Sequence, residues 1–177
     1  MGFPGAVLLV VAAVTFAGCG AGIAATTGSS VTPIATTSTP VANVTAAEQA
    51  ALHLFAADPA VPDHWYPCSN SDNWAACPMS AAVKMRLADL TSKGYFADFG
   101  GCGEEYISGT QNGFNNAPTV LSGVASGDGS VTVVIQRGPA RPSLTAVMAQ
   151  EQGTWLATDL ASGNGPAASI FSAKPNC

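Results

Sequence analysis

The fold is decided by residues 126–160, SGDGSVTVVIQRGPARPSLTAVMAQEQGTWLATDL. Two runs in this stretch alternate along the chain with a period of two, which predicts half-buried β-strands. The inward positions of these runs are Val131, Val133, Ile135, Leu144, Ala146 and Met148. Turn residues at 126–129 follow a further apolar run at 118–125, and the step Gln152-Gly153 precedes another at 154–160. Strands joined by short turns are antiparallel, so we expect an antiparallel meander.

Two helices are predicted before this meander. Thr45-Ala46-Ala47-Glu48 has the form of a capping box, which predicts a helix from Thr45 to about residue 57. Pro59 and Pro62 would end it. Its apolar face would be formed by Ala47, Ala51, Leu54 and Phe55.

A second helix is predicted from about Met79 to Lys93. Val83, Leu87 and Leu90 repeat at the spacing of one helix face, and Gly94 is a suitable residue to end the helix. The segment between the helices, residues 62–78, has the composition of a loop, and a further strand is expected over residues 104–111.

The fold class predicted from this order is α+β, with N-terminal helices packed on a curved antiparallel sheet of four to five strands. The order over residues 45–165, with the step Gly153-x-Trp155 into the last strand, resembles NTF2-like and cystatin-like domains. That resemblance implies a sheet that bends around the N-terminal helices. A small β-barrel with helical decoration is the alternative.

The N-terminus carries the features of an export signal. Residues 7–16, VLLVVAAVTF, form an apolar run shorter than the roughly 20 residues that span a bilayer, but of the length of a signal-peptide core. The run ends in Phe16-Ala17-Gly18-Cys19, which resembles the lipobox of bacterial lipoproteins. The resemblance implies that residues 1–18 are a signal peptide. It also implies that Cys19 carries the lipid and anchors the protein at the extracytoplasmic face of the cell membrane. Ordinary cleavage near Ala24 or Ala25, giving a secreted protein, is the alternative.

The remaining cysteines suit disulfide formation. Five cysteines occur, and assigning Cys19 to the anchor leaves Cys68, Cys77, Cys102 and Cys177. Four cysteines allow three connectivities. We favour the pair Cys68–Cys77, which brackets a short polar loop, and the pair Cys102–Cys177, which ties down the C-terminal residue. Metal binding is the rival interpretation, but the spacings contain no C-x₂-C, so no metal site is predicted.

Residues 19–44 are predicted to form a tether. After Cys19 the stretch is rich in Thr, Ser, Ala and Pro and has no charged residue, so it buries too little apolar surface to fold. Residues 45–177 are then a single α+β domain with two disulfides. The net charge of −5 disfavours nucleic acid as a partner, because phosphate binding needs clustered Lys and Arg.

No catalytic set emerges from the residue pattern. His64 follows Asp63, but neighbouring residues rarely point at each other, and Glu104 and Glu105 in a strand would face opposite sides. His53 lies on a mostly apolar helix. No serine-hydrolase elbow, phosphate-binding loop or dinucleotide fingerprint is present.

One aromatic group remains as a candidate site. Trp65, Tyr66 and Trp74 lie close to the first cysteine pair, either as a small core on that disulfide or as a surface patch for a glycan or partner. The predicted function is a non-catalytic binding or scaffold module of the cell envelope, without a cofactor, whose partner is an envelope protein or an apolar ligand. A small extracytoplasmic enzyme with an NTF2-like pocket is the alternative, and a purely structural surface component is a third possibility.

Overall fold

The computed structural model describes residues 43–68, 74–96, 106–110, 112–139, 141–163, 169–173 and 175. These residues belong to one compact unit. The elements are α1 (Val44–Leu52), β1 (Phe55–Ala57), β2 (His64–Pro67), α2 (Ala81–Ser92), β3 (Phe114–Asn115), β4 (Thr119–Ala125), β5 (Val131–Gln136), β6 (Leu144–Glu151) and β7 (Thr154–Ser162). The predicted sites at Cys19, Cys102, Cys177, Glu104 and Glu105 lie outside the described residues.

The predicted meander is confirmed as a four-stranded antiparallel sheet in the order β4-β5-β6-β7. In β5 the residues Val131, Val133 and Ile135 are buried and their neighbours are half-buried, as the period-two pattern requires. Register pairs Val133 with Ala146, so the inward positions of adjacent strands share one face of the sheet. The buried face contributes to the hydrophobic core, which also includes residues of both helices and of the smaller sheet.

A second, three-stranded antiparallel sheet, ordered β1-β2-β3, was not expected from the sequence. Residues 55–57 were predicted to continue the first helix and residues 62–78 to form a loop; both predictions are wrong where β1 and β2 lie. Phe55 pairs with Pro67, and Trp65 pairs with Phe114. The Phe55 and Phe114 rings meet edge to face at 5.7 Å, so this small sheet is held by aromatic packing as well as by its ladder.

The strand expected over residues 104–111 is also misplaced. Tyr106 to Gly109 form turns, and the strand in this region is β3, at Phe114–Asn115. Tyr106 and Ile107 are nonetheless buried. The apolar residues of this segment therefore indicate burial, although the backbone that carries them is not a strand.

Helix α1 begins earlier than the capping box predicted. Asn43 is the N-cap, and its side-chain oxygen accepts a hydrogen bond from the Ala46 amide at 3.1 Å. Thr45 therefore lies inside the helix, which ends at Leu52. Ala47 and Ala51 are buried, and α1 lies against all four strands of the larger sheet.

Helix α2 matches its prediction closely. Ser80 caps it by accepting a hydrogen bond from the Val83 amide at 3.3 Å. The predicted stripe of Val83, Leu87 and Leu90 is buried, and the helix packs against β7. Gly94 follows the helix with a φ of 68°, the left-handed conformation expected of a residue in this position.

The two edges of the larger sheet differ. The outer edge of β7 is covered by the chain itself: the Ser80 amide donates to the Ala157 carbonyl at 2.9 Å, and the Ile170 amide donates to the Leu160 carbonyl at 2.7 Å. Arg86 holds the second covering segment in place by donating to the carbonyls of Ile170 and Ser172 at 2.9 and 2.8 Å.

The outer edge of β4 has no strand partner among the residues described. The sheet is therefore open, and the alternative prediction of a closed β-barrel is wrong. The architecture is α+β, with two helices and two antiparallel sheets in the described part of the chain. Neither of these helices is long and apolar enough to cross a membrane.

Candidate functional site

A polar cleft lies where β2 and β3 meet the loop that follows β5. His64 is the first residue of β2 and is in register with Asn115 of β3. The cleft has a volume of about 340 Å³. Its described lining consists of His64, Asn112, Gly113, Phe114, Asn115, Gly138, Pro139 and Arg141.

The imidazole of His64 is oriented by a carboxylate. Its Nδ1 lies 3.3 Å from Oδ2 of Asp58, and the His64 and Asp58 side chains are 16% and 11% exposed. The sequence drew attention to Asp63 beside His64, but the carboxylate in contact with the ring is that of Asp58. The hydrogen bond from the Ala60 amide and, to a smaller extent, His64 hold the pKa of Asp58 below its ordinary value. Because Asp58 stays ionised, it favours a proton on Nδ1 of His64.

The other ring nitrogen of His64, Nε2, has no hydrogen-bond partner in the described part of the chain. The ring also packs edge to face on Tyr66 at 4.7 Å, which fixes its plane. His64 is thus held in one orientation with one nitrogen still able to meet a ligand.

The backbone beside His64 adopts uncommon conformations. Asp63 and Asn116 have φ values of 57° and 77°, and the Asn116 amide donates to the Asp63 carbonyl at 2.9 Å. Asp and Asn tolerate the left-handed region better than most residues, but the conformation still carries a free-energy cost. Such strain is concentrated at functional sites in proteins, which makes this cleft a candidate.

One wall of the cleft is positioned by a buried arginine that the sequence analysis missed. Arg137 is fully buried, and its Nη1 donates to the carbonyls of Tyr106 and Ile107 at 3.0 and 3.1 Å. Its Nε donates to the Pro142 carbonyl at 2.7 Å, and its Nη2 to the Ser162 hydroxyl at 2.9 Å. The guanidinium therefore joins the segment at 106–107 to the ends of the larger sheet.

Arg141, a residue of the cleft lining, ties the same segment a second time. Its Nη1 donates to the Gly109 carbonyl at 2.9 Å. Gly109 itself lies so close to Arg137 that a Cβ there would be 2.9 Å from the guanidinium carbon.

Tyr106, in the segment bonded by Arg137, has a buried hydroxyl. Burial raises the pKa of Tyr106 to about 12, so the hydroxyl remains protonated. It donates a hydrogen bond to the Leu160 carbonyl at 3.4 Å.

A second, more apolar depression lies beside the Cys68–Cys77 disulfide. It has a volume of about 650 Å³ and is formed by α1, the residues around Cys77 and the start of β7. Its described lining consists of Ala50, His53, Ala76, Cys77, Pro78, Gly153, Thr154, Trp155 and Leu156. The side chains are mostly apolar, with His53 and Thr154 as polar members.

The disulfide between Cys68 and Cys77 is confirmed, with a Cα–Cα distance of 5.5 Å. Of the predicted aromatic group, Trp74 is buried in the core at 6% exposure, whereas Trp65 and Tyr66 are half-buried on β2. Trp65 and Tyr66 are consecutive in a strand, so their side chains point to opposite faces. Nε1 of Trp74 has no hydrogen-bond partner among the described residues.

The chemistry of the cleft follows from its residue types. Its described lining contains one imidazole, one guanidinium and two carboxamides, but no hydroxyl, thiol or carboxylate side chain. No group of three or more His, Cys, Asp or Glu side chains in the described ranges is placed to hold a metal ion. The lining is therefore suited to forming hydrogen bonds with a ligand.

Comparisons of the chain with protein-family models, characterised proteins and solved structures give no significant match. The function is therefore argued from the chemistry of the sites themselves.

Proposed function

We propose that this protein is an exported lipoprotein, anchored at the outer face of the cell membrane through Cys19, whose folded region is a non-catalytic binding module of the cell envelope. We further propose that the module takes a small apolar ligand in the depression beside the Cys68–Cys77 disulfide. The anchor is supported by the lipobox-like sequence ending in Cys19. An NTF2-like or cystatin-like fold is supported by helix α1 lying across an antiparallel sheet.

The observation that carries the binding function is the depression itself. Ligand sites in proteins are typically clefts of about 300–1,000 Å³ with mostly apolar walls and a few polar groups, and a volume of about 650 Å³ lies within that range. Trp155 and Leu156 provide apolar contact area, and His53 and Thr154 provide hydrogen-bonding groups. The disulfide at Cys77 restrains one wall, which limits the entropy lost on binding.

A catalytic function has one supporting observation, the contact between His64 and Asp58. A histidine oriented by a carboxylate is a common general base. However, the described lining of that cleft offers no nucleophile and no second acid to work with the imidazole. We therefore favour binding over catalysis.

The anchor is tested by Cys19→Ala in the native host. The variant should leave the membrane fraction or accumulate as an unprocessed precursor, because the thiol that receives the lipid is gone. A mature, unlipidated N-terminus at Ala25 or Thr26 in the unaltered protein would instead support secretion after ordinary cleavage.

The depression is tested by two neighbouring substitutions in the full chain, with the neutral apolar dye N-phenyl-1-naphthylamine as the probe. Ala76 lines the depression and Ala75 does not, although both are exposed. Ala76→Asp should weaken dye binding by about tenfold, because a carboxylate must be desolvated against an apolar ligand. Ala75→Asp should leave binding unchanged. Equal effects of the two substitutions, or no saturable binding, would contradict the proposal.

A further inference from the structure

We infer that β4 is a self-association surface, at which a second copy of this chain adds its own β4 antiparallel and joins the two larger sheets into one. The strand lies outside both sites described above, since neither described lining includes a residue of β4. The inference is therefore independent of the proposed ligand site. It is carried by the exposure of β4, by its composition and by the positions of the nearest charges.

β4 is exposed along most of its length although it belongs to the larger sheet. Five of its seven residues are exposed, among them Leu121 at 58% and Val124 at 62%. The neighbouring strand β5, by contrast, alternates between buried and half-buried residues. Among the described residues β4 pairs with β5 alone. A partner strand can therefore reach the exposed residues of β4 and bond to the backbone edge that β5 does not use.

β4 lacks most of the devices that keep an exposed edge apart from other strands. Its residues 119–125, TVLSGVA, contain no Lys, Arg, Asp, Glu or Pro. Charged side chains and prolines on edge strands oppose pairing in natural sheets. One protective irregularity is present, a bulge between Val120 and Ser122, which increases the local twist of the strand. The regular part of β4 available for pairing is thus residues 122–125.

A two-fold axis at Val124 gives the pairing that suits this regular part. Val124 is in register with Thr132, which lies on the less buried face of β5. Two antiparallel copies centred there would bring their Val124 side chains together, with about 4.5–5.5 Å between the Cβ atoms, and would place Gly123 opposite Ala125 of the second copy. Each copy offers the other the same exposed apolar side chain, so the surface is complementary to itself.

The nearest charges permit an antiparallel pair. Asp128 lies in the turn after β4, so the two copies of it would be roughly 25 Å apart, at opposite ends of the paired strands. That separation exceeds the screening length of about 8 Å at physiological salt. Glu48 of α1 packs over Gly123, and the two Gly123 positions would be about 7–8 Å apart. In water, repulsion between the two Glu48 carboxylates weakens the pairing only about twofold to threefold.

The size of the contact makes the pair weak and reversible. A strand of seven residues is about 23 Å long and a sheet is about 10 Å thick, so pairing covers about 230 Å² on each copy. Stable interfaces cover about 800 Å² on each partner. We therefore expect a dissociation constant of roughly 0.1–1 mM, with the monomer prevailing in dilute solution and the pair at high concentration.

The experiment is a concentration series of the ¹⁵N-labelled full chain, from about 0.02 to about 2 mM, followed by amide NMR with detergent micelles in excess over protein. The Gly123, Val124 and Ala125 amides should shift along one saturation curve, whereas the amides of α2 should not shift. Spectra that do not change over this range, or shifts confined to other elements, would overturn the inference. Shifts at β4 that need an added membrane extract would also overturn it, in favour of a strand from another protein.

Val124→Lys and Met85→Lys locate the contact, because each replaces an exposed apolar side chain, 62% and 68% exposed, by a cation. Val124→Lys places two cations opposite each other in the pair and should raise the dissociation constant about fivefold or more. Met85→Lys, on α2, should leave it unchanged. If Val124→Lys fails to fold, Leu121→Lys puts a cation on the same edge and should also weaken the pairing. Equal effects at positions 124 and 85, or an unchanged dissociation constant in a folded β4 variant, would overturn the inference.

Discussion

The substitution Gly113→Ala tests whether the cleft depends on a close approach between two backbone segments. Gly113 has a φ of 77°, and a Cβ on it would lie 2.5 Å from the carbonyl oxygen of Trp65 and 2.8 Å from Cδ1 of Tyr66. The first of these neighbours is backbone in the middle of β2, so relief of the contact requires the strand itself to move. The free energy of unfolding should therefore fall by more than the strain in φ alone explains.

The control for this prediction is Gly129→Ala, in the turn between β4 and β5. Gly129 has a φ of 86°, but a Cβ there would meet no atom within 4 Å. Left-handed strain costs about 1–2 kcal/mol, and the reduced entropy of the unfolded chain returns about 0.4–1 kcal/mol. The control should therefore lose at most about 1.6 kcal/mol. Overpacking adds about 1–3 kcal/mol at Gly113, for a total loss of roughly 1–5 kcal/mol.

The assay is urea unfolding of the full chain in detergent, followed by tryptophan fluorescence. The difference between the two variants in unfolding free energy, at an unchanged slope with denaturant, isolates the steric contribution. Equal losses for Gly113→Ala and Gly129→Ala would show that the backbone at Gly113 does not lie in close contact with β2, and the geometry assigned to the cleft would then be wrong.

Three further outcomes follow from the described contacts. Asn43→Ala should lower stability by about 1 kcal/mol because it removes the N-cap of α1, whereas Thr45→Ala should change it little; equal effects in thermal unfolding would count against the cap. Leu87→Ala should lower the free energy of unfolding by about 2–5 kcal/mol because it leaves a cavity in the core. Met85→Ala, at a side chain that is 68% exposed, should lower it by under about 0.5 kcal/mol. A similar loss for both variants in urea unfolding would mean that the face of α2 with Leu87 is not the buried one. Asp58→Asn should destabilise the protein at neutral pH but not in acid. The pKa of the Asp58 carboxyl is lower in the folded than in the unfolded protein, so its ionised form stabilises the fold at pH values above the unfolded-state pKa. This stabilisation is lost as the pH falls through the folded-state pKa. A difference in unfolding free energy between the two proteins that does not shrink in acid would refute this.

Strands with strong alternation could be predicted from the sequence, and short strands could not. In β5 the alternating burial of six residues reproduces the pattern read from Val131 to Gln136, and α2 likewise follows its apolar stripe. β1 and β3 have three and two residues, too few for a period to be recognised. Their pairing through β2 joins residues that are far apart in the chain, such as Trp65 and Phe114, so it leaves no local signal.

The cleft at His64 could be predicted only in part, because its contacts also join residues that are separated in the sequence. His64 was noted, but its contact with Asp58 depends on the turn that brings β1 and β2 together. For Arg137 a signal was available: it continues the phase of Val133 and Ile135, and a charged residue on the inward phase of a strand calls for hydrogen-bond partners in the interior. The disulfide Cys68–Cys77 was predicted because the pair brackets one short polar loop, and its Cα–Cα distance of 5.5 Å suits a disulfide.

The unequal edges of the larger sheet set a limit on any self-association through strands. Among the described residues β4 pairs with β5 alone and exposes Leu121 and Val124, whereas the outer edge of β7 is bonded by the segments at Ser80 and Ile170. Two copies that paired antiparallel through β4 would complete each other's backbone hydrogen bonds by two-fold symmetry, and the covered β7 edges of their larger sheets would face outward. Growth would then stop at a pair, because a fibril needs a free edge at both ends of every added unit. The segments that cover β7 would thus oppose strand-to-strand growth at that edge of the larger sheet as well as completing its fold.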